Sequence, residues 1–382
     1  SRVIFTSGKD QSFSDPAFNT IVGTWTTTTP AVKDWQGLWL RAGSSSTLNN
    51  IDLRYAGYDF RPTISNLLSS QALRADSAVV NISNSVFRDS GDTIVYLNSS
   101  TSTISGSNFQ NGILAVDAQQ SDLTLSDSNF TNFSNYRGPV NIKSKWPSLN
   151  QLTFSSNALD QVYLESVALE KDVSYPRGLN YLVIGGNLQV PSSTTFTLEP
   201  GSTLNLAKYG TITVQGALQA PGTLEAPITI QPSPSNTYWG HVKFDGSASN
   251  LSYINFNRGG LLASIPADLS GAVLIYNSTV TLDNVVVADS RAPGNAIQIG
   301  NSVVIIRNSQ ITKTQKFNGL YVSDVGIKVN SGQLNLDNVL FSNFNIGLLG
   351  INNGSLPGLQ MSNMSSSSFV NVDYLIQPTN WF

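Results

Sequence analysis

Self-similarity constrains this chain more than any other feature. Trp35-Gln36-Gly37-Leu38-Trp39-Leu40 matches Trp239-Gly240-His241-Val242-Lys243-Phe244, and a Ser-rich stretch and a short apolar run follow each. VNISNSVFRDSGDTIVYL (80–97) matches VTLDNVVVADSRAPGNAIQI (280–299), and SDLTLSDSNFTNF (121–133) matches GQLNLDNVLFSNF (332–344). The offset is about 200 residues each time, so the chain reads as two copies of one module. The expected division is residues 1–170, a first module entered part-way through, and 171–382, a second, together forming one continuous solenoid.

A shorter period runs inside each copy. Asn84, Asn108, Asn129 and Asn157 follow or interrupt short alternating runs, as do Asn284, Asn308, Asn338 and Asn363. Within the runs apolar and polar residues alternate, which is strand periodicity. Asn, Ser, Asp and Gly punctuate them as turn residues. No dozen residues sustain a helical period, so helix is expected at most as a short cap in 66–74 or 159–172. Strand groups recurring every 21–30 residues describe a coil that pairs with the coils above and below it. A seven-strand sandwich would need turn signals every 8–12 residues instead. The fold class expected is therefore all-β, a right-handed parallel β-helix or β-solenoid. In it the eight Asn would stack as an inward ladder, since Asn tolerates left-handed backbone and its amide can bond the next.

Composition removes whole classes of function. There is no Cys and one His, and the formal net charge is -3 with 12% charged residues. Disulfides, thiolate metal sites and Cys nucleophiles are thereby excluded, and no basic field exists to hold nucleic acid. No apolar run approaches a membrane span. No cofactor and no metal ligand set is expected. The chain opens on Ser1 without a signal-peptide pattern and reads as a processed or excised fragment.

The stretch 188–256 carries a family likeness. Glu199, Pro200, Gly201, Ser202, Gly216, Leu218, Ala220, Gly222, Thr223, Pro227, Ile228, Ile230, Trp239 and Gly240 follow a strand, turn, strand, Gly-Thr, Trp-Gly order. This resembles the right-handed parallel β-helix repeats of large bacterial and archaeal cell-surface proteins, in the pectate-lyase-like superfamily. The resemblance extends more weakly over both copies. It implies the β-helix firmly and leaves function open, because the same helix serves lyases, tailspikes, adhesins and surface layers.

The chemistry of cleaving members is missing from their patterns. No Asp-Asp pair, Gly-His-Gly or Asn-Thr-Asp occurs. The nearest approximations are Arg88, Asp89 and Asp92, then Asp117, Asp122 and Asp127. Asp89 recurs as Asp289 within a shared Asp-Ser, which reads as turn chemistry, while Arg88 becomes Ala288. Asp122 and Asp127 differ in alternation phase and should not converge. His241 is expected to be an ordinary exposed side chain beside Lys243. Gly185-Gly186 and Gly259-Gly260 lack the helix and Lys of a phosphate loop. Thr26 to Thr29 is too short for an ice-binding array. Sequons stand at Asn81, Asn98, Asn129, Asn132, Asn250, Asn277, Asn353 and Asn363, as many as chance predicts in so Asn-rich a chain, and some could be glycosylated.

The function expected is a non-catalytic structural or adhesive extracellular protein, a rod, filament or surface-layer component on the cell surface. The alternatives are a polysaccharide-processing or tailspike-like enzyme, and a carbohydrate-binding module using Trp25, Trp35, Trp39, Tyr55 and Tyr58. The expected partners are cell-surface polysaccharide and further copies or neighbouring modules joined head to tail. Apolar residues near the ends, Val3, Ile4, Phe5, Leu375, Ile376, Trp381 and Phe382, motivate that last expectation.

Overall fold

Alternation makes the strands. In Thr101–Ser105 the side chains of Ser102 and Ile104 are buried while Thr101 and Thr103 face solvent, and the runs one coil away repeat the pattern. The computed structural model describes residues 2–7, 9–10, 29–57, 71–260, 271–316, 324–351 and 360–379. It is an all-β parallel β-helix, in two compact units, Ser1–Glu165 and Ser166–Phe382. Among the described residues there is no helix. The segment 71–74 lies in the strand Gln71–Asp76, and 159–172 holds the strands Val162–Glu165 and Val167–Ala168. Both β-rich runs prefer inter-coil pairing to a local helix, which corrects the expected caps. Trp25, Tyr58, Thr26 to Thr28, Asn353, Trp381, Phe382 and residues 66–70 lie outside the described residues.

Each coil of the first unit has three strands and so three faces. One coil runs Thr93–Asn98, Thr101–Ser105 and Asn108–Gly112 on the first, second and third face. The next coil runs Leu114–Gln119, Asp122–Ser126 and Asn129–Phe133. Every strand lies parallel and in register on its predecessor: Val116 on Val95, Thr124 on Thr103, Phe130 on Phe109. Inside the third face Phe87, Phe109, Phe130 and Phe154 stack with centroids 5.2, 5.1 and 5.4 Å apart.

Three left-handed residues turn each coil. Ser77, Ser99 and Gln120 leave the first face, Asn84, Gly106 and Asp127 leave the second, and Asp89, Asn111 and Asn132 leave the third, all at φ between 49° and 61°. Only Gly and short polar residues adopt this backbone readily, and that explains the Asn, Asp and Ser recurrence. Asp89 and Asp289 hold the same kind of corner, at φ 50° and 49°.

The interior ladder is made of serine. Directly after the left-handed residue stand Ser85, Ser107 and Ser128 at one corner and Ser100 and Ser121 at another, all buried. Ser107 Oγ donates to the Ser105 carbonyl at 2.8 Å and accepts the Ser85 backbone N–H at 3.2 Å. Ser128 repeats this with Ser126 and Ser107 (2.7 and 3.2 Å), and Ser121 with Gln119 and Ser100 (2.8 and 3.0 Å). Each hydroxyl thus satisfies a corner amide that neither strand can reach.

The eight Asn are not one inward column, and none of them is buried. Asn284, Asn308 and Asn338 do share one corner of the second unit, at φ 54°, 50° and 53°, and Asn338 Nδ2 donates to Asn308 Oδ1 at 3.1 Å on the outside. Asn84 sits at a corner, whereas Asn108 and Asn129 pair two positions later, in strands, with Asn129 Nδ2 donating to Asn108 Oδ1 at 2.7 Å. Asn157 caps a different turn by accepting the Phe133 N–H at 2.9 Å, and Asn363 lies in the strand Gln360–Ser365. The physical reason is room: a two-residue corner fits a small hydroxyl inside and turns the larger amide outward.

The second unit is built the same way, with a nine-strand parallel sheet from Val167–Ala168 to Tyr374–Thr379. The long strands Ser302–Thr312 and Gly332–Ser342 run through a corner, around Asn308 and Asn338. Ser278, Ser302, Ser309 and Ser367 occupy the positions after left-handed Asn277, Asn301, Asn308 and Ser366. Trp35 and Trp239 do the same work in their own units: the indole N–H donates to the Arg54 carbonyl at 2.8 Å and to the Asn257 carbonyl at 2.7 Å.

Candidate functional site: the outer strip of the first face

Parallel register stacks equivalent side chains, so whatever faces outward on one strand has neighbours directly above and below. On the first face of the first unit one outward column reads Trp39, Arg74, Tyr96, Asp117, Asn141, Tyr163, of which Asn141 is buried. Beside it runs a second column of Asp76, Asn98, Gln119, Lys143 and Glu165. Neighbouring strands are about 4.8 Å apart, so the strip crosses the coils as a row of planar and hydrogen-bonding groups.

Trp39 is 51% exposed and anchors one end. Its indole N–H donates to Asp76 Oδ2 at 2.7 Å, and the Arg41 and Arg74 guanidinium carbons lie 4.5 and 5.5 Å from its ring centroid. Arg74 grips Asp76 with two hydrogen bonds, 2.6 and 3.0 Å, and lies 5.3 Å from the Tyr96 ring. At the other end Arg137 Nη1 donates to Glu165 Oε2 at 2.6 Å and stands 5.1 Å from the Tyr163 ring and 5.4 Å from Tyr136, which is 73% exposed. Arginine stacked on aromatic rings holds those rings face-on in fixed orientations.

The two central carboxylates differ. Burial disfavours the charge on Asp76, but hydrogen bonds from Arg74, Asn98 and Trp39 outweigh it and hold its pKa below 3.8. Asp117 goes the other way: burial pushes its pKa up, more than the amides of Asn141 (3.0 Å) and Gln119 (3.1 Å) pull it down. Folded Asp117 therefore binds its proton more tightly than the unfolded chain, so it costs stability as pH rises from 3.8 through the folded value. Asp117→Asn should raise the unfolding midpoint at pH 7, with the gain vanishing below pH 3.8, as circular dichroism melts at both pH values would record. A variant chain equally or less stable than the native one at pH 7 would remove this account.

A groove of about 510 Å³ adjoins the third-to-first corner, lined among others by Lys33, Asp89, Asp92, Asn111 and Asn132, with Val32 and Ile113 as apolar walls. Here two residues of the acidic motif face one space. Asp89 Oδ1 accepts from Asn111 Nδ2 at 2.7 Å, and Asp92 Oδ1 from Lys33 Nζ at 3.2 Å. Arg88 lies between Asp52, at 3.3 Å, and Asp89, at 3.6 Å. Asp117, Asp122 and Asp127 lie on the first face, the second face and a corner, with Asp122 held by Lys145 at 3.0 Å.

Other expected positions are placed as follows. His241 is half-buried rather than exposed, and burial with the Lys243 charge lowers its pKa to about 4, so it is neutral near pH 7. Trp35 and Tyr55 are half-buried. The sequons Asn81, Asn129, Asn132, Asn250, Asn277 and Asn363 are exposed, and Asn98 is half-buried against Asp76. Sequence reasoning passed over the strip, though a signal existed. Arg74, Tyr96, Asp117 and Asn141 each stand three residues before the left-handed Ser77, Ser99, Gln120 and Ser144. The matching column in the second unit holds Lys243, Leu274, Gln298, Lys328 and Leu349, without an aromatic ring or a carboxylate.

Compared with known proteins, the chain matches no family model and no curated protein.

Proposed function

We propose that this protein is a non-catalytic, adhesive β-helix of a cell surface, in the pectate-lyase-like superfamily, and that its first unit holds polysaccharide along the strip. The observation that carries the reading is the column Trp39, Arg74, Tyr96, Asp117, Asn141, Tyr163. Sugar rings offer apolar C–H faces to aromatic planes and hydroxyls to carboxylates, amides and guanidinium groups. An extended glycan lying across the coils would meet both chemistries in alternation. Extracellular placement, lateral assembly and use of the sequons belong to the same proposal. So does head-to-tail association through the edge strands Val3–Phe5 and Tyr374–Thr379, each of which pairs on one side among the described residues.

The experiment is affinity electrophoresis of the full chain through gels containing neutral and acidic polysaccharides. At least one polysaccharide should retard the chain, and Trp39→Ala with Tyr96→Ala should weaken that retardation at least tenfold, about 1.4 kcal/mol. No retardation by any polysaccharide, or full retention in the double variant, sinks the assignment of the strip. Light scattering that finds a concentration-independent monomer removes the association.

An enzymatic reading has one observation in its favour, the raised Asp117 on the same face as the ionised Asp76, with the strand Thr93–Asn98 between them. Inverting glycoside hydrolysis uses one protonated and one ionised carboxyl across the scissile bond. Here, however, Asp76 is fully engaged by Arg74, Asn98 and Trp39. The same mixtures should release no new reducing ends; release abolished by Asp117→Asn would replace the adhesive reading by a hydrolase.

A further inference from the structure

We infer that Lys313 Nζ and the Asp324 carboxyl group of the second unit join in an intramolecular isopeptide bond. The two groups meet at 2.5 Å, Nζ to Oδ2, with side-chain exposures of 4% and 0%. Neither Lys313 Nζ nor the two Asp324 carboxylate oxygens has an aligned hydrogen-bond partner among the described residues. A buried ion pair left without such support contributes little net stability. Its geometry therefore calls for another explanation, and proximity of an amine to a carboxyl carbon in a closed, apolar place supplies one.

The surroundings suit the condensation. Nζ lies 5.4 Å from the ring of buried Phe344, and the Asp324 backbone N–H donates to Asn345 Oδ1 at 3.1 Å, which fixes the acid's backbone. Burial lowers the Lys313 pKa, although Asp324 and Asp289 oppose it. Burial likewise raises that of Asp324, against the Lys313 charge and the Gly294 backbone. Both shifts bring the neutral pair, amine and carboxylic acid, closer in energy to the ion pair.

The step balances without an outside reagent. The Lys313 ammonium passes one proton to Asp324 Oδ2, leaving a free amine and a carboxylic acid. The nitrogen lone pair attacks Cγ, the Cγ–OH bond breaks, and the hydroxyl leaves as water with a second proton from nitrogen. One C–N bond forms and one water departs. Held in contact, such groups reach effective concentrations of about 10⁵–10⁸ M, which drives an amide that dilute amine and acid would not form. The bond would close the chain from 313 to 324 into a covalent loop.

Intact-mass spectrometry of the full chain tests this directly. The native chain should be one water lighter than its sequence requires, and Lys313→Arg, which keeps the charge but cannot condense, should have its full mass. A protease digest should yield one branched peptide joining the two segments through Lys313 and Asp324. A native chain at full sequence mass overturns the inference. So does a water loss that persists in Lys313→Arg, because the dehydration would then lie elsewhere.

Discussion

Phe109→Ala should lower the stability of the first unit by about 3–5 kcal/mol, the usual cost of emptying an aromatic site in a close-packed core. Phe109 is fully buried, with Phe87 at 5.2 Å on one side and Phe130 at 5.1 Å on the other, so truncation removes two ring contacts at once. The coils cannot collapse into the void, because their spacing is set by backbone pairing through Phe87, Phe109 and Phe130 in register. Urea titration of the native and variant chains measures the loss. A change below about 1 kcal/mol would mean that the coils do relax, contrary to the rigid stacking described.

Ser107→Val should cost about 1–3 kcal/mol, a large effect for so small a change of shape. The hydroxyl serves the Ser105 carbonyl and the Ser85 amide, and Val leaves both buried without a partner. The control is Asn84→Gly, at an exposed corner with φ 50°, where Gly adopts the same backbone freely and only one outer amide contact, 3.2 Å to Asn49, is lost. The Ser variant should unfold at distinctly lower urea, and the Asn variant close to native. Equal midpoints would show that the inner hydroxyls do no more than the outer amides.

The β-helix was legible because alternation and turn residues are local signals, and the recurring Asn did mark corners at Asn84, Asn284, Asn308 and Asn338. The direction of the side chain was not legible. Left-handed backbone and inward position both favour small polar residues, and the sequence does not say which of Asn84 and Ser85 turns inward. Asn108 and Asn129 lie two positions past their corner, and nothing short of inter-coil register separates them from corner residues. The strip was harder to see for the same reason. Arg74, Tyr96, Asp117 and Tyr163 stand in four separate repeats, and only backbone pairing brings them into one column. Asp76 and Asp117 look alike in sequence; their opposite pKa shifts come from Arg74 on one and burial on the other.

The three corners of the first unit differ in the length they permit. From the second face to the third the connection is one or two residues in every coil, and where Ser100 and Ser121 stand it is two. There the hydroxyl reaches its two partners only across a turn of that length, so an added residue would undo a hydrogen bond within its own coil and another to the neighbouring coil. From the third face to the first, the fully described connections range from the single residue Ile113 to the six residues 134–139 and 156–161. Insertions in evolution, or grafts by design, are thereby channelled mostly to one seam, and that seam borders the face bearing the strip. The helix can acquire new rims around an unchanged row of side chains, and so vary what it recognises without renegotiating how it folds.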